Sequence, residues 1–488
     1  MSLLASIMSA AFLLGTPVEI YTYGSVYLYY AIAYTIGTYL TVNLFLPKYL
    51  QIKCTSPIYM GVILCGPSLA LSQITGLSLW MIVGFAGVIC TFYTSIGGMK
   101  AVIWADVKQT VMMFLGVMLS IVFGFMDAGG IEKVFKTAIQ GDRLNLINFY
   151  ISPFIRYIFW NITCGGGLYF TAAIACLQIQ AQRFLCVKDL RSAKKVAWIN
   201  CFQFIFMLFL TACVGLLLYS KYQSCDPLQA KIISKADQLY PLFVTETLGK
   251  IPGLTGIFIS CILNASLSSI SSGINSIVTV MVEDIYKRIK TSSTISDQQQ
   301  TIISKVVSVS LGVLTICLSL SDVAYGKSCA CAPILGIYLV GFFLRRVNSR
   351  SILIAFFLCL IFQMWTLIGS TLAIKQRVRS DGRLSLSIQE CSPPLNITRS
   401  TRINENTAEQ NFFLPLYSMS FLWYNVNGVV LVVVLSYFVS LTCRVKDSQS
   451  VDEQLLISWR NLFICSSERQ DDKQVNDPEL NESMLSSK

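Results

Sequence analysis

Long apolar runs, separated by short polar segments, recur from the first residues of the chain to about residue 442. They fall near 2–17, 24–46, 57–73, 78–96, 107–126, 154–177, 197–219, 254–282, 302–320, 333–344, 351–372 and 420–442. Most approach 20 residues, the length a helix needs to cross ~30 Å of hydrocarbon. The runs are continuous, whereas the strands of a membrane barrel would show alternation in segments of ~10 residues. The pattern predicts an all-α polytopic membrane protein with about twelve spans. The run at 333–344 is too short to cross alone.

Composition narrows the function. Of 488 residues, 54% are hydrophobic and 13% charged, with a mean hydropathy of +0.62. A soluble domain carries about a quarter charged residues. The formal charge of +11 is spread over many short loops, which points to orientation in a bilayer and away from a nucleic-acid partner. Histidine is absent, which excludes histidine triads, histidine zinc sites and a histidine pH switch. Most of the 17 cysteines lie inside apolar runs, where cysteine behaves as a small hydrophobe. None has the spacing of a zinc site, and no basic segment precedes the first apolar run as in a cleavable signal peptide.

Basic residues orient the spans. With Met1 in the cytoplasm, the inner loops hold Lys48 and Lys53, Lys100 and Lys108, Arg183 to Lys195, Lys287 to Lys290, Arg345 to Arg350, and Arg444 with Lys446. The long outer loop at about 374–415 is basic too, which long loops tolerate. It contains the sequon at Asn396, a predicted glycosylation site, whereas the sequon at Asn161 falls inside a span and is expected to be silent. Cys225 and Cys391 both fall in outer loops, on the oxidising side, where they either form a disulfide or remain two surface thiols. Residues 1–445 read as the transmembrane domain and 446–488 as a disordered cytoplasmic tail.

Two spans carry unusual chemistry. In the first, small residues from Ala5 to Ala11 precede Gly15–Thr16–Pro17, where a break is expected. A helix interrupted in the membrane frees carbonyls that can bind a cation, although small residues also serve helix packing. In the second, Asn264, Ser266, Ser268, Ser269, Ser271 and Ser272 crowd one stretch. Hydroxyls can back-bond to their own helix, but neutral oxygens are also what a hard monovalent cation prefers.

These stretches, with Leu14 to Glu19, Tyr59 to Val62, Cys90 to Trp104, Gln178 to Phe184, Leu267 to Ser272, Glu283 to Tyr286 and Tyr417 to Tyr424, resemble the sodium/solute symporter family. The similarity is to its animal monocarboxylate and multivitamin branch and covers most of the chain to about 445. It implies a LeuT-type fold of two inverted five-helix repeats and sodium-coupled symport of a small organic anion, such as a monocarboxylate, biotin or pantothenate. It implies no enzyme activity and no organic cofactor, with Na+ as the co-transported ion. By the same resemblance, the sodium site takes carbonyls of Ala5, Met8 and Ala265 and hydroxyls of Ser268 and Ser269. A second sodium falls at Ser271, Ser272 and Asp106. The substrate pocket falls at Ser9, Phe12, Gly15 and Gly166, and an inner gate at Asp106 and Arg183. The implied location is the plasma membrane.

The chain departs from the family in three places. Met1 falls inside the broken helix, so the family's first helix is expected to be missing. A connector of about two dozen residues is absent at 55–58, and 321–333 is shortened. Ala5 and Met8 therefore stand close to a terminus expected to be mobile, and weak transport is expected. Two rival functions remain: a transport-deficient variant that acts through membrane partners, and an iodide symporter, sodium leak or sensor.

Overall fold

The computed structural model describes residues 1–49, 79–146, 149–187, 189–282, 297–320, 331–344, 347–375, 383–388, 391 and 413–442. Expectations for the connector at 55–58, Asn396, the segment from 321 to 330 and the tail after 442 lie outside these residues. The described residues are helical, with turns and extended connectors and no strands.

The first span is two helices. α1 covers Ser2–Ile7 and α2 covers Ala10–Tyr23, with Met8 and Ser9 extended between them. The break therefore lies seven residues before the expected Gly15–Pro17 position. Pro17 sits inside α2, which runs unbroken to Gly24. Gly24 ends α2 at φ +84°, a conformation that only glycine adopts without strain.

α3 (Tyr30–Leu40) continues through a π-helical turn at Thr41–Phe45 to Leu46–Tyr49. α4 is a single 50-residue helix, Leu79–Ala128, where an inner loop with Lys100 and Lys108 was expected. At 1.5 Å per residue it is ~75 Å long, well over one bilayer crossing. No proline interrupts it, and a glycine pair at 97–98 costs only ~1 kcal/mol per residue in a helix. α5 (Ile131–Gln140) is a short amphipathic helix.

The next rod is irregular. α6 (Gly167–Thr171) is flanked by π-helical turns at Asn161–Gly166 and Ala172–Cys176. It breaks at Leu177, which is extended, and resumes at an angle of 55° as α7 (Gln178–Leu185). Then follow α8 (Leu190–Tyr222), α9 (Leu239–Leu248), α10 (Leu254–Val280), α11 (Asp297–Leu320), α12 (Cys331–Phe343), α13 (Ser349–Lys375), α14 (Leu414–Ser418) and α15 (Trp423–Thr442). Among the described residues, five helices are long and apolar enough to span, or six with the bent α6–α7 rod.

Packing sorts these rods. α2, α3, the α6 rod and α8 form one group; α4, α10 and α11 form a second; α12, α13 and α15 form a third. α8 and α10, from the first two groups, are two-thirds buried, whereas α13 is only 22% buried. Close approach of α3 to α6 depends on Gly37, where a Cβ would stand 2.9 Å from both Phe170 Cβ and the Thr171 nitrogen. Gly256 on α10 has nothing within 4 Å of such a Cβ. Gly37→Ala should cost ~1–3 kcal/mol by overpacking and lower the melting temperature of detergent-purified protein, while Gly256→Ala leaves it unchanged or raised. Equal melting temperatures for the two variants would contradict this packing.

Candidate functional site

The break in the first span rearranges its hydrogen bonds. In a continuous helix the Ser9 amide would donate to the Ala5 carbonyl; here it donates to Ile7 at 3.0 Å. The Phe12 amide, which would close on Met8, donates to Ser9 at 2.9 Å. The carbonyls of Ala5 and Met8 thus lose their helical donors, and both residues are fully buried. Desolvated carbonyls without donors are costly unless another group satisfies them.

The serine cluster of α10 packs beside α1. Ser266, Ser268, Ser269, Ser271 and Ser272 are all buried. Ser266 back-bonds to Ile262 at 3.1 Å, Ser269 to Ala265 at 3.2 Å, and Ser271 to Ser268 at 3.1 Å. A back-bonding hydroxyl uses only its hydrogen, so its oxygen lone pairs remain available. The hydroxyl oxygens of Ser268 and Ser269 therefore keep lone pairs on the helix that packs beside α1, while the Ala265 carbonyl already accepts the Ser269 hydroxyl.

Asp106 of α4 ties these elements together and is fully buried. Its Oδ1 accepts from Ser268 at 2.5 Å, and its Oδ2 accepts from Ser2 at 2.9 Å. Arg183 of α7 pairs with the same Oδ2 at 2.7 Å. Arg183 also donates to the carbonyl and hydroxyl of Ser2 and to the Ser272 hydroxyl. One further link joins the short helices: Gln180 of α7 donates to Ser6 of α1 at 2.7 Å. α1, α4, α7 and α10 are thereby pinned at one end of the molecule. The carboxylate expected to serve both an ion pair and a second sodium is engaged in the pair, with Ser272 on the same guanidinium.

The amino-terminal residues, expected to be mobile, pack against the neighbouring helices. Leu3, Leu4, Ala5 and Met8 are buried, Ser2 is held by Asp106 and Arg183, and Thr110 donates to the Met1 carbonyl at 3.3 Å.

Beyond the break, Ala11, Phe12, Gly15 and Glu19 form a half-buried face of α2. A Cβ at Gly15 would meet nothing within 4 Å, so this face borders open space. Phe12 packs on Phe204, which stacks on Tyr34 at 3.8 Å. Ser9 is buried at the head of α2. Gly166 was expected to line the pocket but faces α3: a Cβ there would lie 3.2 Å from Ala33 Cβ and 3.3 Å from the Tyr30 ring.

Three other features have little or no local signal along the chain. Asn200 of α8 donates to Tyr34 OH at 2.8 Å, and its Oδ1 is without a hydrogen-bond partner among the described residues. At the far end of α2, Glu19 pairs with Arg156 at 2.7 Å and accepts from Tyr157 at 2.9 Å. The third is the break at Leu177, which has neither glycine nor proline beside it; the only local signal is the change from an apolar run to Gln178, Gln180 and Gln182. Asn161 is buried, with its amide donated to Ser152 and Ile155 and its oxygen taken by Trp423, so the sequon is sterically closed.

Comparison with known proteins assigns this arrangement. The profile of the sodium:solute symporter family matches residues 52–358. Sodium-coupled monocarboxylate transporter 2 of Mus musculus is 31% identical over 95% of this chain and 80% of its own length. Sodium-coupled monocarboxylate transporter 1 of Homo sapiens is 31% identical over 94% of this chain and 82% of its own. The chain belongs to the sodium:solute symporter family. It is a multi-pass membrane transporter, not an enzyme. The solved outward-open structure of a Na+-coupled sialic acid symporter overlaps 91% of this chain and 89% of its own, with a TM-score of 0.68 at 19% identity. That likeness gives the LeuT-type fold. Two broken rods, α1–α2 and α6–α7, are consistent with that fold, whose sites are typically formed by discontinuous helices.

The buried pair yields a prediction. Asp106→Ala strands Arg183 and should cost ~3–5 kcal/mol, whereas Asp106→Ala with Arg183→Leu should recover most of it. Thermal stability of the purified variants measures the difference. A double variant no more stable than Asp106→Ala would show that the two groups are not coupled.

Proposed function

We propose that the chain carries out sodium-coupled symport of a small monocarboxylate by alternating access. The supporting observation is the pair of buried carbonyls, Ala5 and Met8, stripped of their donors and set beside the serine cluster of α10. Together with Ala265, Ser268 and Ser269 they supply neutral oxygens suited to one sodium ion, with no carboxylate required.

The substrate would lie on the half-buried face of α2 between Ser9 and Gly15. A carboxylate there meets the positive end of the α2 dipole, a nearby sodium ion, and the Tyr34–Asn200 pair. Small monocarboxylates are favoured over larger vitamins by the two transporters named above. The Asp106–Arg183 pair would act as the inner gate: while it holds α1 and α7 together, the path to that end is shut.

The same reading places the protein in the plasma membrane with Met1 and the carboxyl terminus in the cytoplasm. The Cys225–Cys391 disulfide lies at the opposite end, which suits an oxidising exterior. The membrane potential, worth ~2.3 kcal/mol per charge per 100 mV, would add to the sodium gradient.

Ser268→Ala with Ser269→Ala should raise the sodium concentration for half-maximal uptake by about tenfold, roughly 1.4 kcal/mol of lost ion binding. Ser266→Ala, on the same helix, should leave it unchanged. Unaltered sodium dependence in the double variant would refute the site. A substrate-independent sodium current would instead support the leak reading.

A further inference from the structure

Beyond transport itself, the far end of α2 is held by a segment from the long loop between α13 and α14. We propose that Arg383–Ile388, fastened by the Cys225–Cys391 bridge, is a strap that fixes one wall of the outer vestibule and makes substrate capture sensitive to reduction from outside. The word outside rests on the orientation proposed above.

The strap is tied at four points. The Leu384 amide donates to the carbonyl of Thr22, in the last turn of α2, at 3.1 Å. Arg143 donates to Ser385 at 3.0 Å and to Thr22 at 3.4 Å. The Asp226 amide donates to Ser387 at 2.9 Å, next to the disulfide at Cys225. Leu386 packs into the main apolar core. The strap thus caps the Thr22 carbonyl, which the end of α2 cannot satisfy itself.

Arg143 is the central post of this arrangement. It is fully buried, and its guanidinium lies 4.4 Å from the Tyr219 ring at the end of α8. Its carbonyl accepts both the amide and the hydroxyl of Ser25 at 2.7 Å. Burial lowers its pKa from the ordinary arginine value. Gly24 lies between the two: a Cβ there would be 3.1 Å from the Arg143 carbonyl and 3.4 Å from Leu384. Buried polar groups packed this closely lose their partners together when one support is released.

The strap also shapes a pocket of ≈ 140 Å³. Glu19, Tyr23 and Arg156 line one side, and Arg383 and Leu386 of the strap line another. This pocket adjoins the outer end of the α2 face assigned above to substrate. The bridge joins residues 166 apart in sequence, so opening it frees the strap from the α8–α9 connector without cutting either chain segment.

The test has two arms. In the first, protein already at the cell surface is treated with a membrane-impermeant phosphine, and opening of the bridge is verified by alkylation mass. The KM for a monocarboxylate should rise roughly fivefold, the equivalent of one net hydrogen bond, with sodium half-saturation unchanged and recovery on reoxidation. In the second, Ile233→Cys, buried on the pocket wall, reports access to an external maleimide. Its labelling should be roughly fivefold faster in a Cys225→Ser/Cys391→Ser background than with the bridge intact. This arm needs no transport, so it decides the strap even if sodium-driven uptake is absent. The first arm uses protein that has already folded, so poor surface delivery of the double variant does not protect the idea. An opened bridge with unchanged KM and unchanged labelling would overturn it.

Discussion

Hydrocarbon offers no water to a freed backbone group, so a helix that breaks inside it must find another partner for every carbonyl it exposes. The break at Met8–Ser9 imposes that constraint here. Two carbonyls lose their donors at a buried site, and the neighbouring helix presents serine oxygens instead of apolar side chains. A site built in this way is stable with a cation in place and strained without one. That dependence lets binding of an ion influence the arrangement of the surrounding helices.

The second requirement follows from the first. A six-residue helix such as α1 has little stability of its own and must be held from outside. The holding group is a buried ion pair, Asp106–Arg183, whose remaining valences go to Ser2, Ser268 and Ser272. The same carboxylate touches the terminus of α1 and the serine that faces the break. Under the proposed assignment, occupancy of the sodium site and closure of the inner end would share one atom network. A pair of this kind contributes little net stability but specifies one arrangement strongly, which suits a gate better than a structural brace.

The all-helical membrane fold was legible because a bilayer demands long apolar runs whatever their partners; of about twelve expected spans, five or six qualify among the described residues. The serine cluster was legible because six polar side chains in nine positions are hard to explain by packing. The position of the first break was misread because proline is a strong local signal, and Pro17 is in fact accommodated within α2. The loop expected in α4 rested on Lys100 and Lys108, but charge alone does not end a helix that contains no proline. The break at Leu177 and the inward packing of Gly166 are tertiary results: the first depends on how α7 meets α1, the second on the contact with Ala33 and Tyr30. The disulfide was one of two readings until the strap placed Cys391 beside Cys225.

The central claim is that sodium and a small carboxylate move together through one site. Concentrative uptake by the purified protein in sealed proteoliposomes tests it most directly. With an inward sodium gradient and an inside-negative potential, a labelled monocarboxylate should accumulate above its external concentration, and a sodium ionophore should collapse the excess. Uptake that only equilibrates, or that proceeds equally well when potassium replaces sodium, would contradict the account.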